Sequence, residues 1–176
     1  MSEATVDIRP ATKADAAALL TLLPQLQKES TTFTAEPRLG DVTLADEAAQ
    51  LEVLMASSQN HLMVADYGNQ LIGLASVFAT GPNVAEIGVA VLKPYWNEGL
   101  GSALMEESLY WAKTVSTLQE IVLTVQLENT YAKRLYRNLG FKVTESTTVE
   151  NAVGDMVPAQ KMTLAVRHHD RADTVD

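Results

Sequence analysis

Glu86-Ile-Gly-Val-Ala-Val91, Leu92-Lys-Pro-Tyr-Trp-Asn-Glu98 and Gly99-Leu-Gly-Ser102 follow one another without a break, and their reading decides the fold. Ala85 to Val91 is a short apolar run with β-branched residues, as a buried strand requires. From Gly99 to Lys113, Leu100, Leu104, Met105, Leu109, Trp111 and Ala112 recur at helical spacing, so a helix follows the intervening loop. Glycines in the first turn of a helix let a ligand approach the backbone. The unpaired amides there, with the helix dipole, favour an anion such as a pyrophosphate. The plain alternative is a glycine-rich helix start with no ligand. Two other glycine-loop readings fail: Gly101-Ser102-Ala103 lacks the lysine of a P-loop, and Leu104 stands where a dinucleotide fingerprint needs its third glycine. Seven residues, Leu92 to Glu98, also separate strand from glycine, whereas the dinucleotide turn joins them almost directly.

Outward from this run, Ile121 to Val125 reads as a strand. Asn129 caps a helix through Ala132, Leu135 and Leu139 that stops at Gly140, where a glycine can turn left-handed. Phe141 to Val149 and Gln160 to Val166 complete the sheet. On the other side, Leu62 to Asp66 and Leu71 to Phe78 flank Tyr67-Gly68-Asn69-Gln70, a hairpin signal that makes these strands antiparallel. Val6 to Arg9 is a short first strand. Thr12 with Asp15, and Thr43 with Asp46, have capping spacing ahead of two apolar stripes, Leu19 to Leu26 and Ala48 to Met55. Pro24 within the first stripe predicts a kink or break. Lys28 to Asp41 is irregular and is the natural substrate loop. The order β, α, α, β, β, β, α, β, α, β, β predicts an α/β chain with a mixed sheet, residues 1–166 forming one domain and 167–176 a polar tail.

A chain of 176 residues with 22 acidic against 13 basic side chains, net charge −9, fits one ordinary domain. The acidity and the lack of a basic run argue against a nucleic-acid partner. No apolar window is long enough for a membrane span and Met1 to Arg9 lacks the features of a secretion signal, so a cytoplasmic location is expected. Cysteine is absent, which excludes disulfides, thiolate metal sites and any thiol-linked acyl-enzyme. Of the three histidines, His168 and His169 lie in the polar tail and His61 beside an apolar strand; no spacing of His or carboxylates suggests a metal, so none is expected.

Trp96-Asn97-Glu98-Gly99-Leu100-Gly101 resembles the Arg/Gln-x-x-Gly-x-Gly/Ala pattern of the GNAT superfamily of acyl-CoA-dependent N-acetyltransferases, with Trp96 in place of Arg or Gln. A second element of that family is matched by Asn129, Ala132, Leu135-Tyr136 and Gly140-Phe141. The resemblance extends from Ile8 to about Met162. It implies a mostly antiparallel central sheet with helices on both faces, in which the strands holding Val89 and Val125 splay apart. The pantetheine arm of acetyl-CoA would enter the gap and pair with backbone groups of Val89, Ala90 and Val91. Asn97, Glu98, Gly99, Leu100, Gly101 and Ser102 would hold the diphosphate, and Asn129 would bond the pantetheine amide or simply cap its helix.

Direct acetyl transfer needs a neutral amine, a polarised thioester carbonyl and a protonated thiol leaving group. Deprotonating a lysine-type amine at pH 7 costs roughly 4.6 kcal/mol, an α-amine only about 1. Glu86 is the candidate base, since alternation puts it on one face with the small residues Gly88 and Ala90; a solvent-facing strand-end glutamate is the alternative. Tyr136 matches the tyrosine that the family uses as the general acid, although a helix aromatic packed on the core reads equally from the local sequence. Glu29 and Phe33 could line the acceptor pocket. A small-molecule amine is the expected acceptor, with a protein lysine or N-terminus, or a non-catalytic acyl-CoA sensor, as alternatives. The terminal strands could pair two copies into a homodimer.

Overall fold

The apolar runs of the sequence become strands because both of their faces are covered. The computed structural model describes residues 5–29, 43–151 and 153–168. Seven strands, β1 (Val6–Pro10), β2 (His61–Tyr67), β3 (Gln70–Gly81), β4 (Val84–Val91), β5 (Glu120–Gln126), β6 (Lys142–Glu150) and β7 (Met156–Ala165), form one sheet in the order β1-β2-β3-β4-β5-β7-β6. Every neighbouring pair is antiparallel except β4 with β5. The helices are α1 (Ala16–Glu29), α2 (Leu44–Met55), α3 (Leu100–Thr114) and α4 (Thr130–Asn138), an element order identical to the one read from the sequence. Among the described residues, no helix is long and apolar enough to cross a membrane.

Local signals act as expected at the hairpin and the caps. Gly68 and Asn69 both have positive φ, +57° and +69°, as a two-residue turn between twisted strands demands. The Thr43 hydroxyl accepts the Asp46 amide at 3.2 Å to open α2. The Asp15 carboxylate accepts the Thr12 amide at 2.8 Å and is held by both Arg9 guanidinium nitrogens at 2.8 Å, which ties β1 to the start of α1. Arg9 also reaches Asp66 of β2 at 3.1 Å. Its guanidinium holds the Asp15 carboxyl below the ordinary aspartate value, because both hydrogen bonds favour the ionised form. The break expected at Pro24 does not occur: α1 runs through it. Pro24 lies on the exposed side of the helix, where water can satisfy the carbonyl that loses its amide partner.

The register defines two faces. His61, Val77 and Ile87 share one row, and Ala65, Gly73 and Val91 share another on the same face. α3 covers that face: Trp111 stacks on His61 with ring centroids 4.4 Å apart, and Leu104 lies over Gly73. A Cβ at Gly73 would come within 3.0 Å of the Ala90 carbonyl and 3.4 Å of Leu104, so this glycine permits the close approach of α3. Ile121 and Leu164 extend the same face across β5 and β7. Leu164 meets the position of Gly140, which places the end of α4 there too. The opposite face carries Leu62, Val64, Leu74 and Ala90, all buried, with α1 packed against β3 and α2 against β2.

Candidate active site

The site begins where the two parallel strands part. β4 and β5 pair only through Val84 with Glu120, Ala85 with Ile121 and Glu86 with Val122. Beyond that point β4 continues to Val91 on the edge of β3, and β5 continues to Gln126 on the edge of β7, with no pairing between them. The Leu92 amide donates to the Ile72 carbonyl at 2.8 Å, which sets the phase of the β3–β4 ladder. The backbone groups of Gly88, Ala90 and Leu92 therefore point at β3, and those of Val89 and Val91 point into the gap. An edge of unpaired amides and carbonyls is a template for an extended partner.

Both parallel strands deliver the chain to a helix N-terminus at the mouth of this gap, the usual place for a ligand at the carboxyl ends of parallel strands. After β4, a 3₁₀ turn at Lys93–Tyr95 leads to Trp96, Asn97 (φ +66°) and Gly99 (φ +78°), the residue preceding α3. The Ala103 amide bonds the Gly99 carbonyl at 3.1 Å, while those of Leu100, Gly101 and Ser102 have no backbone acceptor among the described residues. A Cβ built on Gly99 or Gly101 meets nothing within 4 Å, so the space in front of these amides is open. This arrangement fits a diphosphate: donors without a backbone acceptor among the described residues, the positive end of a 15-residue helix, and glycines at its head. After β5, the Asn129 side-chain oxygen accepts the Ala132 amide at 3.1 Å. Asn129 is thus the cap of α4; its backbone amide donates to the Gln126 carbonyl at 3.0 Å, and its side-chain Nδ2 makes no hydrogen bond among the described residues.

Glu86 and Tyr136 lie on opposite faces of the sheet. Glu86, exposed, is the last β4 residue paired to β5, and it shares the α1–α2 face with Phe78 and Gly88. Tyr136 belongs to α4 on the α3 side, with its ring edge-on to Phe141 at 6.1 Å. Its hydroxyl makes no hydrogen bond among the described residues. Burial disfavours the phenolate and raises its pKa above the usual value near 10, so the phenol keeps its proton at neutral pH. Phe33 lies outside the described residues. Glu29, at the end of α1, accepts the Lys93 amide at 2.9 Å, and with Thr21, Pro24, Gln25, Lys28 and Lys93 it lines an open cavity of about 650 Å³. Among the described residues, no group of three His or carboxylates could hold a metal.

Two features were not legible in the sequence. Trp96 donates its indole N–H to the Val91 carbonyl at 2.7 Å, a contact that no spacing rule anticipates. His61 is buried under Trp111, and burial pulls its pKa down to about 4.

This combination of a parted parallel pair and an open helix start defines a class. The chain belongs to the acetyltransferase (GNAT) family, whose model matches residues 23–141. Its structure is similar to that of a GNAT-family acetyltransferase from Streptococcus pneumoniae, with a TM-score of 0.83 and 26% identity over 92% of this chain and 100% of that one. A fold likeness of TM-score 0.76, with 21% identity over 93% and 95% of the two chains, joins it to a Salmonella typhimurium protein solved with its cofactor acetyl-CoA. In sequence it is 39% identical over 56 residues to an N-alpha-acetyltransferase of Sulfurisphaera tokodaii, 32% of this chain and 34% of that protein. The chain spans little more than a third of the length of the curated relatives it matches.

Proposed function

We propose that this protein transfers an acetyl group from acetyl-CoA directly to a primary amine of a small molecule. The observation that carries the reading is the end of β4–β5 pairing at Glu86 and Val122, beyond which the Val89 and Val91 backbone groups face an open gap leading to the amides of Leu100, Gly101 and Ser102. Pantetheine occupies the gap as an added strand, and the diphosphate sits before Asn97 to Ser102. The amine nitrogen attacks the thioester carbonyl carbon, the C–N bond forms and the C–S bond breaks. The nitrogen gives its proton to Glu86 through water from the α1–α2 face, and the Tyr136 phenol gives its proton to the leaving sulfur from the α3–α4 face. The position of the two groups on opposite faces suits this division, since the base must meet the incoming amine while the acid meets the departing thiol. With no cysteine in the chain, a thiol-linked acyl-enzyme is excluded. Lys28, Glu29 and Lys93 border the acceptor's cavity.

A second reading, an α-amino acceptor at a peptide N-terminus, is favoured by the name of the Sulfurisphaera relative. It also demands less of the base, because an α-amine near pKa 8 loses its proton at a cost of only about 1 kcal/mol at pH 7. The test is a screen of polyamines, amino acids, aminoglycosides and peptides with free N-termini, read by mass for the acetylated product and by released coenzyme thiol. Acetylation of a small amine supports the first reading, and acetylation of the peptides alone replaces it with the second. Coenzyme binding with no acceptor turned over would leave a sensor of the acyl-CoA instead.

A further inference from the structure

We infer that Trp96 is a positioning residue: its indole latches the anion-binding loop to the end of β4 and competes with the coenzyme for the Val91 carbonyl. The inference rests on the acetyl-CoA reading above and adds a residue to it.

The geometry is closed at both ends of the side chain. The Trp96 amide donates to the Lys93 carbonyl at 3.1 Å, and the indole N–H reaches back five residues to the Val91 carbonyl at 2.7 Å. Val91 is the last residue of β4, and the ladder phase directs its carbonyl into the gap. The bond therefore engages the outermost of the acceptors that an added strand would find on β4 and competes with the coenzyme for it, leaving the Val89 groups and the Val91 amide. It also fixes the backbone one residue before Asn97 turns to φ +66°, so the loop enters α3 in the orientation that exposes the amides of Leu100, Gly101 and Ser102.

An indole has one donor, no acceptor and no charge, so it cannot neutralise a phosphate as an arginine would. Positive charge is supplied from beside it: the Lys93 ammonium lies 5.8 Å from the centre of the Trp96 ring. Tryptophan thus splits between two residues what one arginine could do, with the hydrogen bond on Trp96 and the cation on Lys93. Trp96 is 45% exposed and lies outside the buried core, so its replacement is expected to cost little stability.

The test is calorimetric titration of the full chain with coenzyme A, comparing wild type, Trp96→Phe and Trp96→Gln, together with the melting temperature of each. Phenylalanine keeps a ring beneath Lys93 and removes only the donor; glutamine restores a donor. The expected result is a three- to tenfold weaker Kd for Trp96→Phe, the scale of one hydrogen bond of roughly 1 kcal/mol. The melting temperature should stay within about 2 °C, and most of the affinity should return in Trp96→Gln. Tryptophan emission gives an independent reading. Coenzyme A should alter it in wild type and leave it unchanged in Trp96→Phe, where the buried Trp111 is the sole emitter. Equal coenzyme affinity in wild type and Trp96→Phe overturns the latch, as does a Trp96→Gln variant no better than Trp96→Phe. Failure of the wild type to bind coenzyme A is a different outcome and overturns the acetyl-CoA reading itself.

Discussion

The two ends of β4 make opposite use of the same kind of sequence. At its first end, Ala85 and Ile87 are buried and the strand pairs with β5 as far as Glu86. At its far end, Val89 and Val91 are as apolar and as β-branched, yet their backbone groups have no strand beside them. The closed end is covered by the His61–Trp111 stack in the row of Val77 and Ile87. The open end leads to glycines whose missing Cβ atoms leave space rather than relieve a clash. Apolar side chains secure both ends in the core, so the side-chain pattern does not separate structural backbone from backbone kept for a ligand. The difference lies in which neighbour the strand meets.

The largest effect should come from filling the open end. Gly101→Val puts a branched side chain where a Cβ meets nothing within 4 Å, in the first turn of α3. Coenzyme A affinity should fall at least about a hundredfold, roughly 2.7 kcal/mol. Thermal stability should hold or rise, because valine is a better helix former than glycine. Unchanged affinity in calorimetry would mean that the open end is not where the diphosphate sits. Next comes Tyr136→Phe, which removes a phenol without a hydrogen-bond partner among the described residues and keeps the ring on Phe141. A drop of about 10²-fold in kcat with unaltered coenzyme Kd is expected of a general acid; a full kcat would assign that proton to water. Because burial holds the phenol's pKa above its ordinary value, this group should cause no loss of rate between pH 7 and 9.

An effect of a different kind belongs to the closed end and bears on stability alone. His61 is buried with an unpartnered ring nitrogen, and its pKa falls to about 4 against 6.5 for the free side chain. A depressed value means that its stabilising share is complete above pH 6.5 and is lost as the pH drops through 4. That share is about 3 kcal/mol at most. Urea unfolding of wild type at pH 7 and pH 4.5 should show most of this loss, and His61→Phe should flatten it. Asp15, held low by Arg9, adds its own loss only below the ordinary aspartate range. If His61→Phe keeps the full pH dependence, the acid sensitivity of the closed end lies elsewhere.

Much of the fold was legible because its signals are short-range. The glycine and asparagine of the β2–β3 turn and the Thr43 cap each act within four residues, and the structure places them as read. The sequence predicts a last strand from Gln160, whereas β7 starts at Met156 and takes in Pro158. That proline lies past the last β5–β7 pair, Gln126 with Ala159; its carbonyl still accepts the Leu127 amide at 2.9 Å, and only its missing amide falls where β5 has ended. At Pro24 the helix continues where a break is one of the two expected outcomes, since a proline on the wet side of a helix costs one bond that water replaces. Of the candidate site, the sequence offers the glycine loop, Asn129 and Tyr136 through their motifs. The indole bond of Trp96, the opposed faces of Glu86 and Tyr136 and the burial of His61 could not, because each depends on residues distant in the chain.

By itself the sequence determined the order of elements, the hairpin, the caps and the presence of glycines at the head of α3, all of which follow from backbone preferences and periodicity between near neighbours. Only the tertiary structure decided that β4 and β5 separate after Glu86 and Val122, and which face of the sheet each candidate group occupies. A strand's partners are set by the competing edges of β3 and β7 and by the helix that Gly73 admits, and that competition is not recorded in any local stretch of the chain.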